Sequence, residues 1–229
     1  KEFIIVDDGS KINHDKYIPT EIKNQGAIFI RLPKNQGKGI AIRMGLKKAT
    51  GDVIVIQDAD LEYLPTELPK LIREIRKDDI NVVYGSRFKS NPRKMSRSHL
   101  LGNLFLTKLT NFLYHTNLTD METGYKMFTR ITLKGIHLNA REFEFEPEIT
   151  AKVILKGHQI REVPIEYHFR EKGEAKINWL DGIESAMTLV RYRLFSNSKV
   201  FHCLYILFKF HVKPILNSLM EIFLKRLSI

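Results

Sequence analysis

The chain has 229 residues, 43% hydrophobic and 28% charged, which suits one well-buried domain and excludes a disordered polymer. A single cysteine, Cys203, excludes an intrachain disulfide and fits a reducing compartment. The 37 Lys and Arg against 26 Asp and Glu leave a formal charge of +11, which favours an anionic partner: nucleic acid, anionic lipid or a phosphorylated substrate.

The chain opens inside a strand-like run, Phe3-Ile4-Ile5-Val6, with no initiating Met and no signal-peptide pattern, so a further N-terminal segment is expected ahead of it. Apolar runs predict strands near 2–7, 27–32, 52–57 and 81–86. Helical spacing predicts helices near 15–24, 38–49 and 66–77, the last started by Pro65. This alternation predicts an α/β fold with a mostly parallel sheet and helices on both faces. Beyond residue 90 the expected order is a helix at 97–114, a polar turn, a helix at 146–156, a strand at 160–166 and a helix at 181–195. One domain over 1–198 and a tail over 199–229 follow.

Helix 97–114 carries a wide apolar stripe of Leu101, Leu104, Phe105, Leu109, Phe112 and Leu113. Helix 181–195 spaces Ile183, Met187, Val190 and Leu194 beside Arg191 and Arg193. Core packing is the ordinary role of such stripes, and a basic amphipathic helix can also lie in a membrane interface. In the tail, Val200 to Phe208 is apolar apart from His202, before Lys209, Lys213 and Pro214 interrupt it. Crossing a bilayer takes about 20 apolar residues, so this segment is expected to anchor at an interface, dock a partner or close the domain.

Four short motifs carry chemistry. Asp58-Ala59-Asp60-Leu61-Glu62 follows the strand Val53-Ile54-Val55-Ile56. Alternation along a continuing strand would aim the three carboxylates to one side, where they could gather Mg²⁺ or Mn²⁺ together with substrate phosphate oxygens. Val6-Asp7-Asp8-Gly9-Ser10 places two carboxylates at the first strand's end, where open α/β sheets bind nucleotides. Asn35-Gln36-Gly37-Lys38-Gly39 joins a strand to a helix whose N-terminus attracts anions, without the spacing of a P-loop. Gly85-Ser86-Arg87 puts a forked phosphate donor at a fourth strand end. The eight histidines show no HExxH spacing, which argues against zinc.

In order, these motifs and Asp120-Met121-Glu122-Thr123-Gly124-Tyr125-Lys126-Met127-Phe128, Phe145-Glu146-Pro147-Glu148-Ile149 and Glu162-Val163-Pro164-Ile165 closely resemble the family 2 glycosyltransferases of the dolichyl-phosphate mannose synthase type. The resemblance covers about residues 2–195 and implies a GT-A fold worked by Mg²⁺ or Mn²⁺. It implies Asp60 and Glu62 as metal ligands supported by Asp58, where the family commonly has Gln at the place of Glu62. It implies Asp7 and Asp8 at the nucleoside, Lys38 at the nucleotide sugar, and Arg87, Arg97, Arg170 and Lys176 on the acceptor phosphate and diphosphate. Asp58, Asp60 and Arg87 are the expected catalytic set. The implied donor is GDP-mannose, then UDP-glucose; the implied acceptor is a polyprenyl or dolichyl phosphate. The implied location is the cytoplasmic side of a membrane, held peripherally or through a membrane-anchoring subunit.

A lipid monophosphate is mostly ionised at neutral pH, its second pKa being about 6, so no dedicated general base is expected. Glu144, Glu146 and Glu148 are expected to be structural or to orient the acceptor. The single tryptophan, Trp179, sits outside any Gln-x-x-Arg-Trp motif, which counts against a processive polysaccharide synthase. A nucleic-acid module fits the net charge but lacks its aromatic or zinc-finger signatures, so no nucleic-acid partner is expected. An inactive partner subunit is a further alternative.

Overall fold

Short β-branched runs form the strands, and the segments between them set how the strands pair. In the computed structural model, which describes residues 1–12, 14–60, 62–90, 97–168, 179–194 and 199–227, β1 (Ile4–Asp7) runs parallel to β2 (Ile28–Arg31) with Asp7 opposite Arg31. Parallel strands need a crossover. Here it is a 3-10 turn at His14–Tyr17 and the short α1 (Thr20–Asn24). The single helix expected over 15–24 is thus broken in two, because Pro19 has no amide to donate and disfavours helical geometry at Ile18.

The second sheet has the order β3 (Val53–Ile56), β5 (Lys126–Thr129), β4 (Val82–Ser86), β6 (Arg161–Pro164). β4 and β6 are parallel, and β5 runs antiparallel to both its neighbours, so the other three strands share one direction. The α/β, mostly parallel architecture read from the sequence holds. β5 itself was hidden in the expected polar turn by Lys126, which is 1% exposed. The Lys126 ammonium donates to the Met121 carbonyl at 2.8 Å and to the Thr123 carbonyl, and lies 4.5 Å from the centre of the Tyr84 ring.

Alternation along the strands divides the core. Val83 and Met127 face Leu71 and Ile75 of α3 (Leu68–Ile75). Val82, Tyr84 and Phe128 face Phe145, Ile149 and Val153 of α6 (Phe145–Leu155). Above α6, α4 (Arg97–Tyr114) and α7 (Trp179–Leu194) add a further layer through Leu106, Tyr114, Ala151 and Leu189. Burying each such Leu or Phe stabilises the fold by about 1.5–3 kcal/mol. α2 (Lys38–Lys48) lies on β1, with Gly45 against Val6. The short α5 (Arg130–Leu133) starts from Thr129, whose hydroxyl accepts the Thr132 amide.

The apolar stripe expected on helix 97–114 is split. Leu109 and Leu113 pack partly buried against the core beside Leu106 and Tyr114, which lie outside that stripe, whereas Leu101, Phe105 and Phe112 are 67%, 60% and 78% exposed. The tail forms α8 (Lys199–Leu207), a π turn at Phe208–Val212 and α9 (Lys213–Leu227). No helix among the described residues is long and apolar enough to cross a membrane. Its two central lysines turn inward rather than to solvent: Lys209 pairs with Glu144 and, at 2.8 Å, with Glu184, while Lys213 pairs with Glu184 and, at 2.8 Å, with Asp181. Arg141 stacks over the Phe210 ring at 5.5 Å. The tail's outer side leaves Leu204, Leu207, Ile215 and Leu219 half or more exposed.

Candidate active site

β1 ends in two aspartates with different work. Asp7 Oδ1 accepts the Ser10 amide at 2.9 Å, and its Oδ2 lies 3.6 Å from the Arg31 guanidinium. Hydrogen bonds from Ser10, working against burial and aided by Arg31, hold the Asp7 carboxyl below its usual range. Asp8 accepts the Gln36 and Gly37 amides, one on each oxygen, at 2.8 Å. The clamp holds the 35–37 loop against the strand end. Gly37, at φ 102°, and Gly39 let that loop lie against Arg141 and Ala140, where a Cβ would come within 2.3 and 2.6 Å of backbone carbonyl oxygens.

The clamped loop delivers Lys38. Its ammonium lies 2.9 Å from Asp58 Oδ2 and 2.8 Å from Glu146 Oε1, joining three elements in one charge bridge. Burial alone would push this ammonium down; the Glu146 and Asp58 carboxylates outweigh it and hold the proton firmly. Gly124 closes the other side of Asp58, since a Cβ there would sit 2.6 Å from Oδ2.

The acidic trio does not converge as the sequence suggested. β3 ends at Ile56, and residues 59–60 form a turn, so strand alternation does not reach Asp60 or Glu62. Asp60 Oδ1 accepts the Glu62 amide at 3.1 Å, and Glu62 Oε2 accepts the Tyr167 hydroxyl at 3.0 Å. Among the described residues, no three Asp, Glu, His or Cys side chains form a ready-made metal cluster.

Arg87 is also differently used. Its Nε and NH2 donate to the two oxygens of Asp120 at 2.7 Å, and the guanidinium is 8% exposed between the Phe88 and Tyr167 rings. The fork expected to grip phosphate is engaged by a buried carboxylate. Arg97 opens α4, and Arg170 and Lys176 lie outside the described residues.

The three alternating glutamates separate by role. Glu148 accepts the Asn139 and Ala140 amides, and Glu144 accepts those of Arg141 and Glu142, so both shape the loop ahead of α6. Glu146 faces Lys38 instead. Helical spacing carried that signal: positions 144 and 148 share a face and 146 points away from it. Glu122, in the Asp120–Phe128 motif, has no role that its sequence position suggests. Burial, reinforced by Glu146, pushes its carboxyl up to about 8 against the opposing pull of Lys126 and Arg87, while burial pushes Lys126 down to about 8. Beside this centre, a cleft of about 720 Å³ opens between the 34–36 loop, Arg141 to Phe143 and the tail.

The model of glycosyl transferase family 2 matches residues 1–136, more than half of the chain. The chain belongs to that family. It is 34% identical over 162 residues to the low-salt glycan biosynthesis hexosyltransferase Agl6 of Haloferax volcanii, covering 69% of this chain and 39% of that protein. It is 34% identical over 195 residues to the UDP-N-acetylglucosamine--dolichyl-phosphate N-acetylglucosaminyltransferase of Methanococcus voltae, covering 76% and 77%. The undecaprenyl-phosphate mannosyltransferase of Micrococcus luteus is 28% identical over 205 residues, covering 84% and 82%. Among solved structures, glucosyl-3-phosphoglycerate synthase of Mycobacterium tuberculosis, in complex with Mn²⁺ and UDP-glucose, shares the fold at a TM-score of 0.63 and 18% identity, over 85% of this chain and 69% of that one. The chain is thus a family 2 glycosyltransferase with the GT-A fold.

Proposed function

We propose that this glycosyltransferase moves a hexose from a nucleotide sugar to a polyprenyl or dolichyl phosphate, inverting the anomeric carbon. The bridge from Lys38 to Asp58 and Glu146 carries the reading, because it sets a fixed cation among carboxylates next to the loop clamped by Asp8. Expelling a nucleoside diphosphate requires stabilising negative charge on its oxygens, which preorganised donors do well in a shielded site. Lys38 supplies such a donor, and Asp7 and Asp8 are proposed to orient the nucleoside directly and through the loop.

The donor set suits a hard divalent ion: Asp58 and Asp60 stand two residues apart just past the end of β3, and Mg²⁺ or Mn²⁺ needs only one or two protein carboxylates when substrate phosphates complete its shell. These two residues would hold it, with Glu62 kept at Tyr167. Such an ion supplies neutralisation of the leaving diphosphate. Arg97, Arg170 and Lys176 are proposed to receive the acceptor phosphate, whose own ionised oxygen is the nucleophile.

The relatives named for dolichyl-phosphate and undecaprenyl-phosphate transfer support the lipid-phosphate acceptor. GDP-mannose is the donor proposed from the motif resemblance. A UDP-linked sugar is the second reading, favoured by the 34% identity to the Methanococcus voltae protein. Exposed Leu101, Phe105 and Phe112 on α4, with Lys108 between them, suit a membrane surface on its cytoplasmic side, with or without an anchoring subunit.

Transfer from radiolabelled GDP-mannose, UDP-glucose and UDP-N-acetylglucosamine to a polyprenyl phosphate tests the reading. One donor is expected to label the lipid, with loss on chelation by EDTA and in Asp60→Ala; no labelled lipid with any donor rejects it. Phe105→Asp with Phe112→Asp is expected to release the protein from anionic vesicles in co-sedimentation.

A further inference from the structure

β3 stops at Ile56, so the stretch carrying Asp58 and Asp60 has left the sheet, and side chains must fix what strand pairing does not. Asp58 is fixed on two sides. Lys38 reaches its Oδ2 at 2.9 Å, and Gly124 packs on the same oxygen, with the Gly124 amide donating to the Tyr63 hydroxyl at 3.0 Å. Asp60 is steadied differently: its Oδ1 accepts the Glu62 amide at 3.1 Å, so its place follows that of Glu62.

Glu62 is in turn held by the chain leaving β6. Its carbonyl accepts the His168 amide at 2.9 Å, and its Oε2 accepts the Tyr167 hydroxyl at 3.0 Å. Glu67 Oε2 accepts the Glu166 amide at 3.0 Å, and the Ser86 carbonyl accepts the Ile165 amide at 3.1 Å. Residues 165–168 are thus laced between β4 and the acidic stretch. Tyr167 is the node of that lacing. Its ring packs edge-on to Tyr63, centroids 5.4 Å apart, and lies 5.4 Å from the Arg87 guanidinium whose fork Asp120 holds. One side chain therefore touches the residue that steadies Asp60, the ring that steadies Gly124 against Asp58, and Arg87. Burial, with Tyr63 and Glu62 alongside, pushes the Tyr167 hydroxyl up, so it stays a donor at neutral pH.

We propose that Tyr167 and Glu62 are a positioning pair: their hydrogen bond sets the spacing at which Asp58 and Asp60 share one divalent ion, and Glu62 itself stays off the metal. This rests on the reading of the chain as a metal-assisted nucleotide-sugar transferase. It adds to that site Tyr167, 105 residues beyond Glu62. Removing a partner that orients metal ligands typically costs about 10- to 100-fold in metal affinity.

The test is Mn²⁺ binding, read from the free-ion electron paramagnetic resonance signal, with GDP and separately with UDP present. Wild type is compared with Tyr167→Phe, Glu62→Gln, Glu62→Ala and the double variant joining Glu62→Ala to Tyr167→Phe. Thermal unfolding confirms that each variant is folded. Tyr167→Phe is expected to weaken Mn²⁺ binding roughly 10-fold, Glu62→Ala by a similar factor, and the double variant no further. Glu62→Gln, whose amide oxygen can still accept from the hydroxyl, is expected to keep most of the affinity. Wild-type Mn²⁺ affinity in Tyr167→Phe, or a double variant weakened by the product of the two single losses, overturns the pair. Failure of wild type to bind Mn²⁺ with either nucleotide overturns the metal-assisted reading itself.

Discussion

The carboxylates of the first and second halves of the chain do opposite work. In the first half, Asp8 and Asp58 sit partly open past the ends of strands, holding one loop and one lysine of the site. In the second half, Asp120, Glu144, Glu148 and Glu162 are buried or nearly so and saturated by amides or by Arg87, which makes them internal struts. Charge at a strand end remains available to a ligand; charge that has replaced missing backbone partners does not. Glu146 sits buried in the second half but joins the first through Lys38.

That contrast is breakable. Asp120→Ala strands the Arg87 guanidinium without its partner, and removing one member of a buried pair costs about 3–5 kcal/mol, read by urea denaturation. A loss below about 1 kcal/mol would mean that Arg87 turns to solvent instead. Lys38→Met removes the bridge without the fold's struts, so kcat/KM is expected to fall on the order of 100-fold with a smaller change in stability.

Glu122→Gln sharpens the comparison through pH. The folded carboxyl titrates at about 8 against an ordinary 4.5, so between those values the folded chain holds more protons than the unfolded one. Stability is therefore expected to fall as pH rises through that window. Around Glu122 the charges are Glu146, Lys126, Arg87 and Asp120. The glutamine variant, with no proton to lose, is expected to gain Tm relative to wild type from pH 5 to 8, and a constant difference across that range would place the titration elsewhere.

The first half was readable because its grammar is local. Apolar runs, Pro65 and strand-end motifs located β1 to β4, α2 and α3, and the seven ordered motifs located the family. What escaped depended on distant partners. β5 is a strand because β3 and β4 flank it, and its first residue, Lys126, is buried through carbonyls and a tyrosine ring that no window of sequence displays. The convergence expected of Asp58, Asp60 and Glu62 assumed a strand that stops at Ile56. Arg87 looked like a phosphate fork because its claimant, Asp120, lies 33 residues away.

The lysines of the tail have a consequence for any shortened form of the protein. Lys209 and Lys213 neutralise Glu144, Asp181 and Glu184 along one wall of the cleft. Trimming the chain before residue 199 would leave that wall anionic, and a phosphate-bearing molecule would then meet repulsion at the doorway the intact protein keeps electrically quiet.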